Sequence, residues 1–197
     1  MLHKVPQLKN MLSLDIGAGS QPKGTINVDV RPVSGIDVVC AALHLPFRKG
    51  TFDHVYLSHV IEHLHYKMAV KLIEEVNYVL KVGGKIEIWA PNFLSLSFLN
   101  AWIFARIEHT DPPMLYAPIC GLQDYEENTH LSQWTAGLLR TYVSSKGFDV
   151  TYAKTEGTYR GKLRGLHFFI KIFPSRGGAI HLIATKKSGI LQKPKTK

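Results

Sequence analysis

Five short apolar runs separated by brief polar stretches constrain this chain more than any other feature. MLSLDI (11–16), TINVDV (25–30), IDVVC (36–40), FDHVYLS (52–58) and KIEIWA (85–90) have the length of buried strands and lack the spacing of helices. One long amphipathic segment, KMAVKLIEEVNYVL (67–80), separates the fourth run from the fifth, and its Val70, Ile73 and Val76 recur at helical spacing. The following KVGG predicts a stop, with Gly83 or Gly84 as a left-handed cap. The apolar run FLSLSFLNAWIFARI (93–107) predicts a helix that packs on the body or covers a pocket; another helix is expected over Thr135–Lys146, halted by Gly147, and a late strand pair over 148–153 and 178–186. Strands alternating with helices and closing in a strand pair predict an α/β domain with a largely parallel, seven-stranded sheet. Its ligand would bind at the carboxyl ends of the strands.

The bulk properties agree with a folded domain. The 197 residues suit one core, and 45% hydrophobic with 20% charged residues is a globular balance. No apolar run approaches the ~20 residues of a membrane span, and the start, MLHKVPQLKN, does not read as a secretory signal. Two distant cysteines, Cys40 and Cys120, form no disulfide framework, so a cytoplasmic setting is expected. We expect a single domain over 1–186, with insertions at 91–134 and 154–176 facing the substrate, and a basic tail at 187–197. The net charge of +9 favours a solvated surface over a dedicated polyanion site.

The first run ends in LDIGAGSQPKGTINVD (14–29), a glycine loop that fits neither common nucleotide motif. A phosphate-binding loop ends in Gly-Lys-Ser or Gly-Lys-Thr, and Gly19 leads instead into SQPKGT. The dinucleotide fingerprint needs a third glycine where this chain has Pro22, and its acid falls about 20 residues on, whereas Asp29 comes much sooner.

Taken together, LDIGAG, NVDV, LPFRKGTFDHVYLSHVIEHL and LKVGGKIEIWAPN resemble the class I S-adenosylmethionine-dependent methyltransferases. Within them, the chain is most similar to small-molecule and glycan-type enzymes with an LPF…FD…HVLEHL segment. The resemblance covers about residues 11–153 and includes HLSQWTAGLLRTYVSSKGFDV. It implies a Rossmann-like fold and S-adenosylmethionine as cofactor. The implied cofactor-binding residues are Asp15, Gly17, Ala18, Gly19, Asp29, Ala42, Leu43 and Ser58. Gly17 and Gly19 would let the backbone approach the amino-acid end. Asp29 would accept both ribose hydroxyls, and adenine would lie against Ala41–Leu45. The candidate bases are His59 and His130, because imidazole titrates near neutrality. Ala41 stands where many such enzymes carry an acid against the adenine amino group.

His59, Glu62 and His63 fall at i, i+3 and i+4 and would share a face if helical. Their plainer assignment is structural, and no metal is expected. GAGSQPKG and RPVSG are too short to hold the helices that normally cross between parallel strands. A shortened edge is therefore predicted, with the bare sheet face covered by another part of the chain or by a second subunit. The expected substrate is a small molecule or a glycan or lipid precursor, methylated on oxygen or nitrogen. Methylation of RNA or protein is the second reading, prompted by the charge. A catalytically silent scaffold is the third, prompted by Ala41 and the shortened edge.

Overall fold

The computed structural model describes residues 11–95, 120–121, 123, 126–156 and 178–188. The apolar run expected to be a helix at 93–107 lies largely outside them. So do the basic and aromatic residues of the 154–176 insertion beyond Glu156, and the tail beyond Ser188.

Seven strands form one sheet: β1 (Ser13–Ile16), β2 (Ile26–Asp29), β3 (Val38–Val39), β4 (Phe52–Ser58), β5 (Leu80–Pro91), β6 (Phe148–Glu156) and β7 (Ala179–Lys186). Their order across the sheet is β3-β2-β1-β4-β5-β7-β6. The first five pair in parallel, and β7 runs antiparallel to both β5 and β6. The sheet is thus mostly parallel and ends in an antiparallel pair, as the sequence predicts. The order reverses between β1 and β4, so the carboxyl ends of β1, β2 and β4 open onto a switch point.

Alternation along the strands divides the sheet into two unlike faces. Leu14, Ile16, Val28, Val55, Leu57, Ile86, Ile88, Ala90, Ile180, Leu182 and Ala184 all point one way and are at most 1% exposed. Helix α1 (Tyr66–Val79) joins that core through Ala69, Leu72, Ile73, Val76 and Val79, and helix α2 (Ala136–Ser145) through Leu139 and Val143. Burying each such aliphatic side chain is worth about 1.5–3 kcal/mol. Thr135 caps α2, its side chain accepting from the Leu138 amide at 3.1 Å.

Two local expectations are corrected. The third strand is only Val38–Val39, because Asp37 is diverted: its carboxylate accepts from the Asn27 amide and from Asn27 Nδ2. Helix α1 ends at Val79 without a glycine cap, and the chain passes into β5 at Leu80, which is already extended. Gly83 and Gly84 instead lie in the irregular start of β5, where the register against β4 shifts between Phe52 and His54. The last turn of α1 has no basic residue of its own. Lys186, 5% exposed at the end of β7, fills that place by donating to the Asn77 and Leu80 carbonyls.

The connections β1–β2 and β2–β3 contain no helix, in keeping with the predicted shortened edge. Asp15 holds the first of them, with its Oδ2 accepting from the Lys23 amide at 2.9 Å.

Candidate functional site

A cavity of about 570 Å³ opens at the switch point, within the range of small-molecule sites. Its wall includes Ile16, Gly17, Asp29, Cys40, Ala41, Ala42, Leu43, His59, Val60, His63 and Leu131. Five of the expected site residues, Gly17, Asp29, Ala42, Leu43 and His59, therefore meet around one space. Asp15, Ala18, Gly19, Ser58 and His130 do not line it.

Gly17 is there for two physical reasons. Its φ is +68°, and a Cβ added to it would lie 2.6 Å from Val60 Cγ2. The amides of Gly17 and Ala18 both donate to the Val28 carbonyl, at 2.8 and 3.1 Å, folding the loop back over β2. The Gly19 amide then donates to Asp29 Oδ2 at 3.0 Å. Asp29 Oδ1 accepts from the Arg31 amide at 2.9 Å, and Arg31 Nε lies 3.5 Å from it. The carboxylate at the end of β2 is thus fixed from both sides, and each oxygen keeps acceptor capacity for a ligand.

Asp15 is 2% exposed, and burial holds its carboxyl above the usual carboxylate range. Its Oδ1 has no hydrogen-bond partner among the described residues. Lys23 follows the loop, and its Nζ comes within 3.4 Å of Ser58 Oγ. Sequence reasoning passed over Lys23, because only the folded loop brings it across to β4. Cys40 packs in the cavity wall, and burial pushes its thiol up, away from the reactive thiolate.

His59 follows β4 in an unusual backbone state, with φ +56°. Its Nδ1 lies 3.0 Å from Oε1 of Glu62, which is 1% exposed. The hydrogen bond to Glu62 raises the imidazole above its ordinary value, against the opposing effect of burial. The turn at Ile61–His63 is a 3₁₀ helix, and His59 precedes it. His59 therefore stands outside the helical turn, and His59, Glu62 and His63 do not share a helical face.

Residues 129–134 are strapped against that turn. The amides of Leu131 and Ser132 donate to the Glu62 carbonyl at 2.8 and 3.1 Å, and Ser132 Oγ donates to the Ile61 carbonyl. Fully buried Trp134 donates from Nε1 to Ser132 Oγ at 2.8 Å. His63 Nδ1 lies 3.2 Å from the Thr129 carbonyl, and the His63 and His130 rings meet edge-on with centroids 5.0 Å apart. His63 was not among the expected cofactor or catalytic residues, yet it lines the cavity.

Comparison with known proteins gives the same fold. Residues 3–88 match the model of a family described as methyltransferase domain. An uncharacterized protein of Methanocaldococcus jannaschii is 31% identical over 111 residues, 49% of this chain. The chain spans about half (48%) of that relative's length. A SAM-dependent methyltransferase from Archaeoglobus fulgidus superposes with a TM-score of 0.59 at 20% identity, covering 89% of this chain and 86% of its own. The 1,6-didemethyltoxoflavin-N1-methyltransferase of Burkholderia thailandensis, solved with S-adenosylhomocysteine, gives 0.58 at 13% identity, covering 90% and 72%. The domain match covers less than half of the chain, and the solved structures show that the fold is shared.

Proposed function

We propose that this chain transfers a methyl group from S-adenosylmethionine to oxygen or nitrogen of a small molecule or of a glycan or lipid precursor. The observation that carries the proposal is the single cavity wall shared by the glycine loop, Asp29 at the end of β2 and the Ala41–Leu43 segment. Asp29, already oriented by Gly19 and Arg31, would accept the ribose hydroxyls. Ala41, Ala42 and Leu43 offer an apolar seat for adenine. Lys23 and Ser58, beside each other across the loop, suit the carboxylate of the methionine end, and the unpaired oxygen of Asp15 suits its ammonium.

Bound S-adenosylmethionine supplies a methyl group already made electrophilic by its sulfonium. The protein's part is alignment and proton removal. Glu62 engages Nδ1 of His59, which leaves Nε2 to take a proton from the acceptor. The buried carboxylate stabilises the imidazolium that results. His130 lies outside the cavity wall, so His59 is the base we favour. The size of the cavity suits a small acceptor, and the two free cysteines fit a cytoplasmic enzyme. Among the described residues, no helix is long and apolar enough to cross a membrane.

Thermal unfolding with S-adenosylhomocysteine tests the reading. At 100 times its dissociation constant the ligand should add about 2.7 kcal/mol of stability. Asp29→Ala should abolish that gain. An unchanged midpoint at saturating ligand would remove the cofactor assignment. Salt-sensitive retention on RNA would then favour the reading prompted by the +9 charge.

A further inference from the structure

We propose that Glu62, His63 and His130 form a binding site for a divalent transition metal beside the cavity. One ligand atom from each lies within 4.8 Å of the other two. Two imidazoles and a carboxylate are the donor set of open zinc and iron(II) sites, which keep one or more positions for water or substrate. Ligands about 2.1 Å from a tetrahedral ion stand roughly 3.4 Å apart. The trio must therefore contract by up to about 1.4 Å, a movement within reach of side-chain rotation.

Four features show a site built beyond chance proximity. Glu62 is 1% exposed, and its Oε2 has no hydrogen-bond partner among the described residues. A carboxylate oxygen left bare in a protein interior is costly, and a cation offsets that cost. Its other oxygen is engaged by His59, so Oε2 is the oxygen left for a metal. His63 Nδ1 faces the Thr129 carbonyl, the partner that fixes a ligating histidine's tautomer and leaves Nε2 as the donor. Finally, the Leu131 and Ser132 amides bind the Glu62 carbonyl, and the His130 amide donates to the Cys120 carbonyl at 2.9 Å. Backbone bonds thus hold His130 beside a turn far away in sequence.

His63 lines the cavity, so the open coordination position would lie next to the acceptor and could hold an acceptor oxygen or a water. The proposal does not rest on the methyltransferase reading, because any ligand of this cavity would meet the same ion.

Titration of the chelator-treated full chain with cobalt(II), followed by zinc(II) competition, tests the site. The expected result is one equivalent of cobalt bound at micromolar free metal, with visible bands that zinc removes. His130→Ala and His63→Ala should each weaken binding by at least about tenfold, by analogy with lost metal partners elsewhere. His65→Ala, at an exposed histidine outside the trio, should leave it unchanged. Circular dichroism reports whether each variant folds. Equal cobalt binding by the wild type and by folded His130→Ala would overturn the proposal, as would no stoichiometric uptake by the wild type. S-adenosylhomocysteine stabilisation, followed in the same samples, separates failure of the metal site from failure of the cofactor reading.

Discussion

The two faces of the central sheet use opposite chemistry to hold one set of strands. On one face, Leu14, Val55, Ile86 and Ala184 stand in register across four strands, as do Ile16, Leu57, Ile88 and Leu182, all closed against α1 and α2. On the other face the same register brings together Asp15, Tyr56 and Glu87, and beside them Ser58, Trp89 and His181. There Glu87 Oε1 accepts from Trp89 Nε1 and from His181 Nε2, each at 3.0 Å. His181 stacks on Trp89 with centroids 3.9 Å apart, and its Nδ1 lies 3.2 Å from Glu156. Tyr152 donates to the same Glu156 oxygen. The apolar face is held by burial, which is non-directional. The polar face depends on angles and distances, so its contribution is smaller and sensitive to pH.

The contrast can be broken from the apolar side first. Ile88→Ala, at a position with no exposure, should cost about 2–5 kcal/mol, read as a lowered urea midpoint. Glu87→Ala removes the shared acceptor from Trp89 and His181 on the opposite face. Those donors are only partly buried, so the loss should be about 1–2 kcal/mol. Equal losses from the two substitutions would mean that the faces do not differ as described.

The smallest effect sharpens the comparison by pH. His54 stacks on Tyr56, and burial lowers its imidazole below 6.5, with Glu87 opposing that shift and Lys85 adding to it. At 3.5 Å its Nε2 contact with Glu87 Oε2 is too long for a strong hydrogen bond. The unfolded chain therefore binds the extra proton first on acidification. Stability from this residue should be complete above pH 6.5 and fall as pH drops toward the depressed folded value. The slope is at most about 1.4 kcal/mol per pH unit. Urea unfolding between pH 7.5 and 5, compared with His54→Gln, should show the variant with the shallower dependence. A parallel dependence in both proteins would assign the acid sensitivity to other groups.

Legibility in the sequence followed the same division. The apolar face announces itself, because alternation in KIEIWA and helical spacing in KMAVKLIEEVNYVL are local signals. The polar network gives no such signal. Glu87 meets His181 only because β7 pairs with β5 across 94 residues. At the candidate site, Gly17, Asp29, Ala42, Leu43 and His59 were readable, since each sits at or just past a strand end. Lys23 and His63 were not. Lys23 reaches Ser58 through the fold of its loop, and His63 comes to the cavity wall at the end of a 3₁₀ turn.

By itself, the sequence determined the strands, the two helices, the absence of helices after β1 and β2, and the glycine–acid pairing of the loop with Asp29. These follow from hydrophobic period, glycine placement and loop length, which act between near neighbours. Only the tertiary structure decided that Lys186 would close the end of α1 and that His130 would stand against His63 and Glu62. Those contacts join residues far apart in the chain. Their partners are chosen by strand order and by the strap at 129–134, which no local pattern encodes.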